Sequence, residues 1–180
     1  SSKPHLALWM GPSVPNRKEK LEDWKKMAVF YVAVVGGGLG KISPIPVIDE
    51  PLVRFPVLQA DLARLGRGVQ RLGRLLFAAG AEEIYSPIDG EPIHGTEALD
   101  SLGLGLPSTG PAVSTIHLFS SCPMGESEVC PVDSFGKLKE SSNVWVSDAS
   151  LMPSSPGVNP QGTLLAMAHR NMDRFLDSQS

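Results

Sequence analysis

Apolar residues recur along this chain with two different periods, and those periods lay out its elements. From Pro56 to Gly80, Leu58, Leu62, Leu65, Val69, Leu72, Leu76 and Ala79 follow one another at alternating spacings of four and three. That spacing puts them on one helical face, turns Asp61, Arg64, Arg67, Arg71 and Arg74 away, and leaves Gly80 to cap the C-terminus. The stretch is too short for a coiled coil and predicts a core-facing helix. Gly66, Gly68 and Gly73 interrupt it. Each costs on the order of 1 kcal/mol against alanine, so packing must hold the helix or a neighbour must approach its backbone there. Met27 to Val35, MAVFYVAVV, is β-branched and aromatic; with KISPIPVI beyond the glycines at 36 to 38 it predicts a two-stranded hairpin. NVWVSD at 143 to 148 predicts another strand. A last helix starts at Pro160 with Asn159 as its cap and Leu164, Ala168, Met172 and Phe175 or Leu176 as its buried stripe. Between these elements the prolines and glycines of 86 to 116 predict loop-rich surface or a lid, with one turn of helix at Thr96 to Leu102.

Composition narrows the class. The chain has 180 residues, enough for one domain or parts of two, and is 42% hydrophobic and 19% charged. With 16 Lys plus Arg against 19 Asp plus Glu it is neither disordered nor basic, so nucleic acid is excluded as a partner. The apolar run from Met27 to Leu39 falls short of the roughly 20 residues a membrane span needs and is broken by glycines. Cys122 and Cys130 form no CxxC pair, which points to reduced thiols and to no zinc or redox centre. The opening SSKPHLALWMGPS lacks the basic-then-apolar pattern of a secretion signal, although processing could have removed one, and the compartment stays open.

Four histidines are candidates for proton transfer. His5 lies near the N-terminus, His94 in a glycine-rich loop and His169 on the last helix, all readable as scenery. His117 differs because it opens a run of small residues, Ser120, Ser121, Cys122, Pro123, Met124 and Gly125, where little bulk blocks a ligand. The GGGLG at 36 to 40 does not make a dinucleotide fingerprint: Lys41 stands where the third glycine is needed, and Ser43, Pro44 and Pro46 prevent the helix that must follow.

Read together, HLFSSCPMGE (117 to 126), CPVDSFGKLKESSNVWVSDASLMPSSPGVNPQGT (130 to 163) and the closing LLAMAHRNMDRFL resemble the C-terminal region of the glucose-methanol-choline (GMC) family of flavin-dependent oxidoreductases. The family pattern is a histidine leading into Gly-Thr-Cys-Arg-Met-Gly, then Val-Asp, then a strand ending in Asp-Ala-Ser before Met-Pro, then Asn-Pro before a final helix. The blocks occur here in that order, and LLFAAGAEEIY at 75 to 85 extends the likeness loosely back to about residue 27. Two departures stand out. Ser120 and Ser121 replace Gly-Thr, and Pro123 replaces the common arginine, which bears on the local loop shape.

The resemblance implies an α+β fold. Residues 1–142 would form an antiparallel sheet with packed helices, part of a substrate-binding domain, and 143–180 the strand and helix that complete an FAD-binding domain. It implies FAD as cofactor, His117 as the base that takes the alcohol proton and Asn159 as its partner, stabilising the developing alkoxide through its amide. Asp148 and Ala149 correspond to positions near the ribityl and phosphate portion of the flavin, while Asn159, Pro160 and Gln161 correspond to positions near its ring. The positive end of the last helix would favour reduced flavin. The family's glycine-rich βαβ unit is not in this chain, so the resemblance further implies a larger chain, or an N-terminal portion, that carries it. Two alternatives remain open: a relative with non-oxidative chemistry, such as a lyase or decarboxylase, and a non-catalytic binding module.

Overall fold

The computed structural model describes residues 2–10, 14–46, 48–86, 91–100, 106 and 113–178, except the side chains at positions 5, 8 and 9. The readings of His5 and of much of the 86 to 116 loop lie outside these residues. The chain divides into two compact units, Ser1–Ser114 and Thr115–Ser180. This division is one of compactness, whereas the 142/143 division above is one of domain parentage and falls inside the second unit. No helix among the described residues is long and apolar enough to cross a membrane.

The first unit contains α1 (Lys3–Trp9), α2 (Arg17–Lys20) running into a 3-10 turn (Leu21–Lys26), the hairpin β1 (Lys41–Ile45) and β2 (Ile48–Arg54), α3 (Gln59–Ala78) and a 3-10 turn (Glu97–Asp100). Helix α3 is the element the heptad-like spacing predicts. It closes as a Schellman motif: Gly80, at φ +94°, donates to the Phe77 carbonyl at 3.0 Å and Ala81 to that of Leu76 at 3.0 Å. The glycines inside it mark close approaches. A methyl group at Gly68 would lie 2.5 Å from Val32 Cγ1, and one at Gly73 would lie 2.6 Å from Cδ2 of the fully buried Leu99. Two clusters form the core of this unit, one of Leu6, Met10, Val14 and Leu21, the other of Ile93 and Leu99 with Val69, Phe77 and Ile84 packed on them.

The hairpin is displaced from its expected place. It pairs Lys41 with Arg54, Ile42 with Val53 and Ser43 with Leu52, and the register slips between Ser43 and Ile45, where Pro44 has no N–H to give the ladder. Residues 27–40 lie outside it, with no ladder partner among the described residues. The glycines do not form a tight turn because other contacts hold them. The Gly37 N–H donates to both carboxylate oxygens of Asp61, at 3.2 and 3.1 Å, and a methyl at Gly38 would stand 2.3 Å from the Pro56 carbonyl oxygen. Asp61 is therefore not on a solvated face. It is 4% exposed, and Arg64 both pairs with it and donates to the Val35 carbonyl at 2.9 Å. That guanidinium, with the Gly37 and Leu58 N–H groups, holds the Asp61 carboxyl below the usual aspartate range.

The second unit contains a 3-10 turn (Ala149–Leu151) and α4 (Gln161–Asp177) on a core of Val132, Leu151, Met152 and Met167. The strand expected at 143 to 148 is reduced to a single bridge, Trp145 with Lys137, flanked by bonds from Val146 N–H to the Gly136 carbonyl at 2.8 Å and from Leu138 N–H to the Val144 carbonyl at 2.9 Å. The α4 stripe is also rotated from the one expected. Met167 and Asn171 are buried and Leu164, Ala168 and Phe175 half-buried, while Met172 and Leu176 are exposed. Together the units give helices with a small antiparallel sheet, the α+β character of the sequence reading.

Candidate active site

The small-residue segment after His117 is built onto the turn that follows Trp145. The Cys122 N–H donates to the Ser150 carbonyl at 3.1 Å, that of Met124 to Leu151 at 2.9 Å and that of Gly125 to Val132 at 3.1 Å. Phe119, Cys122 and Met124 pack on the Val132, Leu151, Met152 and Met167 core. Asp148 sets the turn itself, its carboxylate accepting from the Ser150 N–H at 2.8 Å. Asp133 organises the next turn in the same way, accepting from the Phe135 and Lys137 N–H groups at 2.8 and 2.9 Å. Glu126 accepts from Ser134, which lowers its carboxyl pKa below the ordinary glutamate value.

His117 is exposed at the start of this segment, its ring centroid 6.4 Å from that of Phe119. The other histidines with described side chains sit beside carboxylates: His169 Nδ1 is 3.2 Å from Asp173 on α4, and His94 Nε2 is 3.9 Å from Glu83. His117 has no such neighbour among the described residues. Its imidazole is left open to an external partner.

Asn159 precedes α4. The helix begins at Gln161 rather than Pro160; buried Pro160 holds the cap position and has no side chain with which to bond the first turn. The first intrahelical bond runs from the Leu164 N–H to the Pro160 carbonyl at 2.8 Å. Hence the N–H groups of Gln161, Gly162 and Thr163 have no partner within the helix. All three residues are exposed, and a methyl group at Gly162 would meet nothing within 4 Å. Exposed Asn159 makes no side-chain hydrogen bond to a described residue, so its carboxamide is free to engage a ligand instead of capping the helix. Three exposed residues whose N–H groups have no partner within the helix, at the positive end of a 17-residue helix, fit a flat group that gains negative charge, as reduced flavin does. His117, Asp148, Ala149, Asn159, Pro160 and Gln161 all belong to the one unit from Thr115 to Ser180.

Two contributors were missed in the sequence. Arg170 on α4 reaches the Ser134 carbonyl, the Asn171 side chain at 2.9 Å and the face of the Phe135 ring at 4.9 Å, fastening the helix to the Asp133 turn. Nothing in its local pattern separates it from a surface arginine. Ser120 is the other: the sequence shows its departure from glycine, but not that its hydroxyl donates to the Met152 carbonyl at 2.8 Å.

Comparisons with known proteins place the chain. The model of the GMC oxidoreductase family matches residues 47–168, which include His117, Asp148 and Asn159. An uncharacterised GMC-type oxidoreductase of Sinorhizobium fredii is 36% identical over 168 residues, covering 92% of this chain and 33% of that protein. A long-chain-alcohol oxidase of Arabidopsis thaliana is 29% identical over 178 residues, 91% of this chain and 23% of that one. The 6'''-hydroxyparomomycin C oxidase of Streptomyces lividus is 33% identical over 111 residues, 61% of this chain and 17% of that one. The chain thus spans a third or less of the length of these curated relatives. With the matched segment covering more than half of its residues, the chain belongs to the GMC oxidoreductase family, as a C-terminal portion of such an enzyme.

Proposed function

We propose that the protein containing this chain oxidises an alcohol with FAD as cofactor, and that His117 and Asn159 act on the substrate oxygen. What supports this reading is that His117 and Asn159, at the two positions the family pattern assigns to the reaction, are both exposed, make no side-chain hydrogen bond to a described residue, and belong to one compact unit. The names of the Arabidopsis and Streptomyces relatives support an oxidase, and in the first case an alcohol as its substrate.

Bound FAD supplies a hydride acceptor. The rest of the chemistry falls to the chain. An imidazole nitrogen of His117 takes the hydroxyl proton, a task suited to a group with a reference pKa of about 6.5. The Asn159 Nδ2 donates to the same oxygen as it gains alkoxide character, so the carbonyl product forms beside a fixed donor. The N–H groups of Gln161, Gly162 and Thr163 would hold the flavin ring, and the Asp148–Ala149 step would hold its ribityl and phosphate portion. On this reading residues 1–142 contribute to the substrate-binding domain, and 143–180 complete the FAD domain of a larger chain or N-terminal portion with the glycine-rich unit. Two apolar surfaces support such a neighbour. One is the unpaired segment with Phe30 and Tyr31 exposed, and the other is the side of α4 carrying Leu165, Met172 and Leu176, each more than half exposed.

The test is His117→Ala in the holoenzyme, read as the rate at which an alcohol bleaches the bound flavin without oxygen. Loss of a general base slows that rate by about 10² to 10⁴-fold, with flavin still bound. An unchanged rate would remove His117 from the reaction.

A further inference from the structure

Ser120 is three residues past His117 and has φ +65°, one of two non-glycine residues in the left-handed region among those described. The other, Asn16, belongs to a residue type that tolerates this conformation, and it precedes a surface helix. Serine tolerates it less well, and the family pattern has glycine here. A residue persists in such a conformation when its surroundings determine it. Here the determinant is visible: the Ser120 hydroxyl donates to the Met152 carbonyl at 2.8 Å. Met152 is 6% exposed and closes the Ala149–Leu151 turn, its own N–H bonded to the Ala149 carbonyl at 3.2 Å. A glycine would make the backbone turn without strain but could not make this bond.

We propose that Ser120 is a positioning residue for His117, its hydroxyl bond to Met152 fixing the direction in which the His117 segment leaves the core. The main-chain ties nearest His117 start at Cys122, five residues on, so without Ser120 the segment from 117 to 121 has no bond to the 148–152 turn. Phe119, between the two, packs on the core and supplies area without direction. A base must lie within hydrogen-bond reach of the proton it takes, and displacement by about 1 Å costs as much as 10²-fold in rate. The inference rests on His117 being the base.

The experiment is a double-mutant cycle in the holoenzyme with Ser120→Gly, Ser120→Ala and His117→Ala, read by anaerobic flavin bleaching and by thermal unfolding. Ser120→Gly is expected to keep or raise the unfolding temperature, because glycine accepts this φ, and yet to slow bleaching by about 10 to 10²-fold. Ser120→Ala slows it similarly, and Ser120→Thr, which keeps the hydroxyl, restores part of the rate. In the His117→Ala background Ser120→Gly has no further effect, which a merely structural role would not produce. A Ser120→Gly enzyme as fast as the parent, or an equal loss with and without His117, overturns the inference. If His117→Ala alone changes nothing, the reading of the base fails instead, and the cycle separates the two failures.

Discussion

Gly136 offers the sharpest test of how the site is held. It sits at φ +86° in the turn organised by Asp133, and a methyl group there would lie 2.6 Å from the Val146 carbonyl oxygen, 3.3 Å from Asn171 Nδ2 and 3.3 Å from Leu151 Cδ1. Three costs follow for Gly136→Ala. The left-handed conformation costs about 1 to 2 kcal/mol once a Cβ is present. The Val146 oxygen is backbone and cannot swing aside, so the bond from Val146 N–H to the Gly136 carbonyl stretches or breaks, a loss of about 1 kcal/mol. Crowding fully buried Leu151 adds about 1 to 3 kcal/mol. A total of about 3 to 6 kcal/mol is a large fraction of the roughly 5 to 15 kcal/mol that stabilises a typical domain. Denaturant unfolding of the purified protein reads this as a lower midpoint at an unchanged slope. Gly162→Ala is the control, because its methyl meets empty space in the first turn of α4. Helix propensity there predicts no loss, or a gain of up to about 1 kcal/mol. If Gly136→Ala stays within about 1 kcal/mol of the parent, or both glycines respond alike, the account of the turn is wrong.

The remaining predictions concern the first unit. Lys20 Nζ donates to the Glu83 carboxylate and to the Tyr85 hydroxyl, both at 3.2 Å, and the Tyr85 hydroxyl donates to Glu83. The Tyr85 hydroxyl first, and then Lys20, hold the Glu83 carboxyl below its usual 4.5, so the stability it contributes is present above that pH and is lost as pH falls through the lowered value. Lys20 is raised from 10.5, chiefly by Tyr85, and Tyr85 from 10.0, chiefly by burial, so their contributions fade as pH rises through the raised values. Thermal unfolding across pH should therefore show Glu83→Gln melting below the parent near neutrality, with the gap narrowing as pH falls below 4.5; a gap that does not change with pH refutes this. Leu99→Ala, at a fully buried position against Gly73, should lower stability by about 2 to 5 kcal/mol in denaturant unfolding, and a loss below about 1 kcal/mol would contradict the packing.

Legibility in the sequence followed how local each interaction is. Helix α3, its glycine cap and the close approach at its internal glycines could be read, because a period, a cap and the lack of a Cβ are properties of neighbouring residues. The hairpin was misplaced because the partner of the Gly37 N–H is Asp61, 24 positions away, on a face that charge patterning assigned to solvent. The α4 stripe failed for a related reason. The helix is apolar on two sides, and only tertiary contacts decide that Met167 turns inward while Met172 turns outward. The roles expected of His117 and Asn159 come from the order of the blocks around them; by its neighbours alone His117 stands out only for opening a run of small residues, and Asn159 only as a helix cap.

The departure at Pro123 shows which part of the site tolerates sequence change. Proline has no N–H, and this one stands between Cys122 and Met124, whose N–H groups carry the bonds to Ser150 and Leu151. Alternate residues of an extended segment donate to the same side, so the N–H absent at 123 is one this ladder does not use. The frame beneath the His117 segment is thus made of main-chain donors, and exchanging arginine for proline leaves it whole. Exchanging glycine for serine at 120 acts in the opposite sense, putting a side-chain hydroxyl where the frame has no main-chain tie. A substitution at 123 is therefore tolerable so long as the bonds at 122 and 124 survive, whereas one at 120 removes the hydroxyl bond to the Met152 carbonyl that ties down the His117 segment.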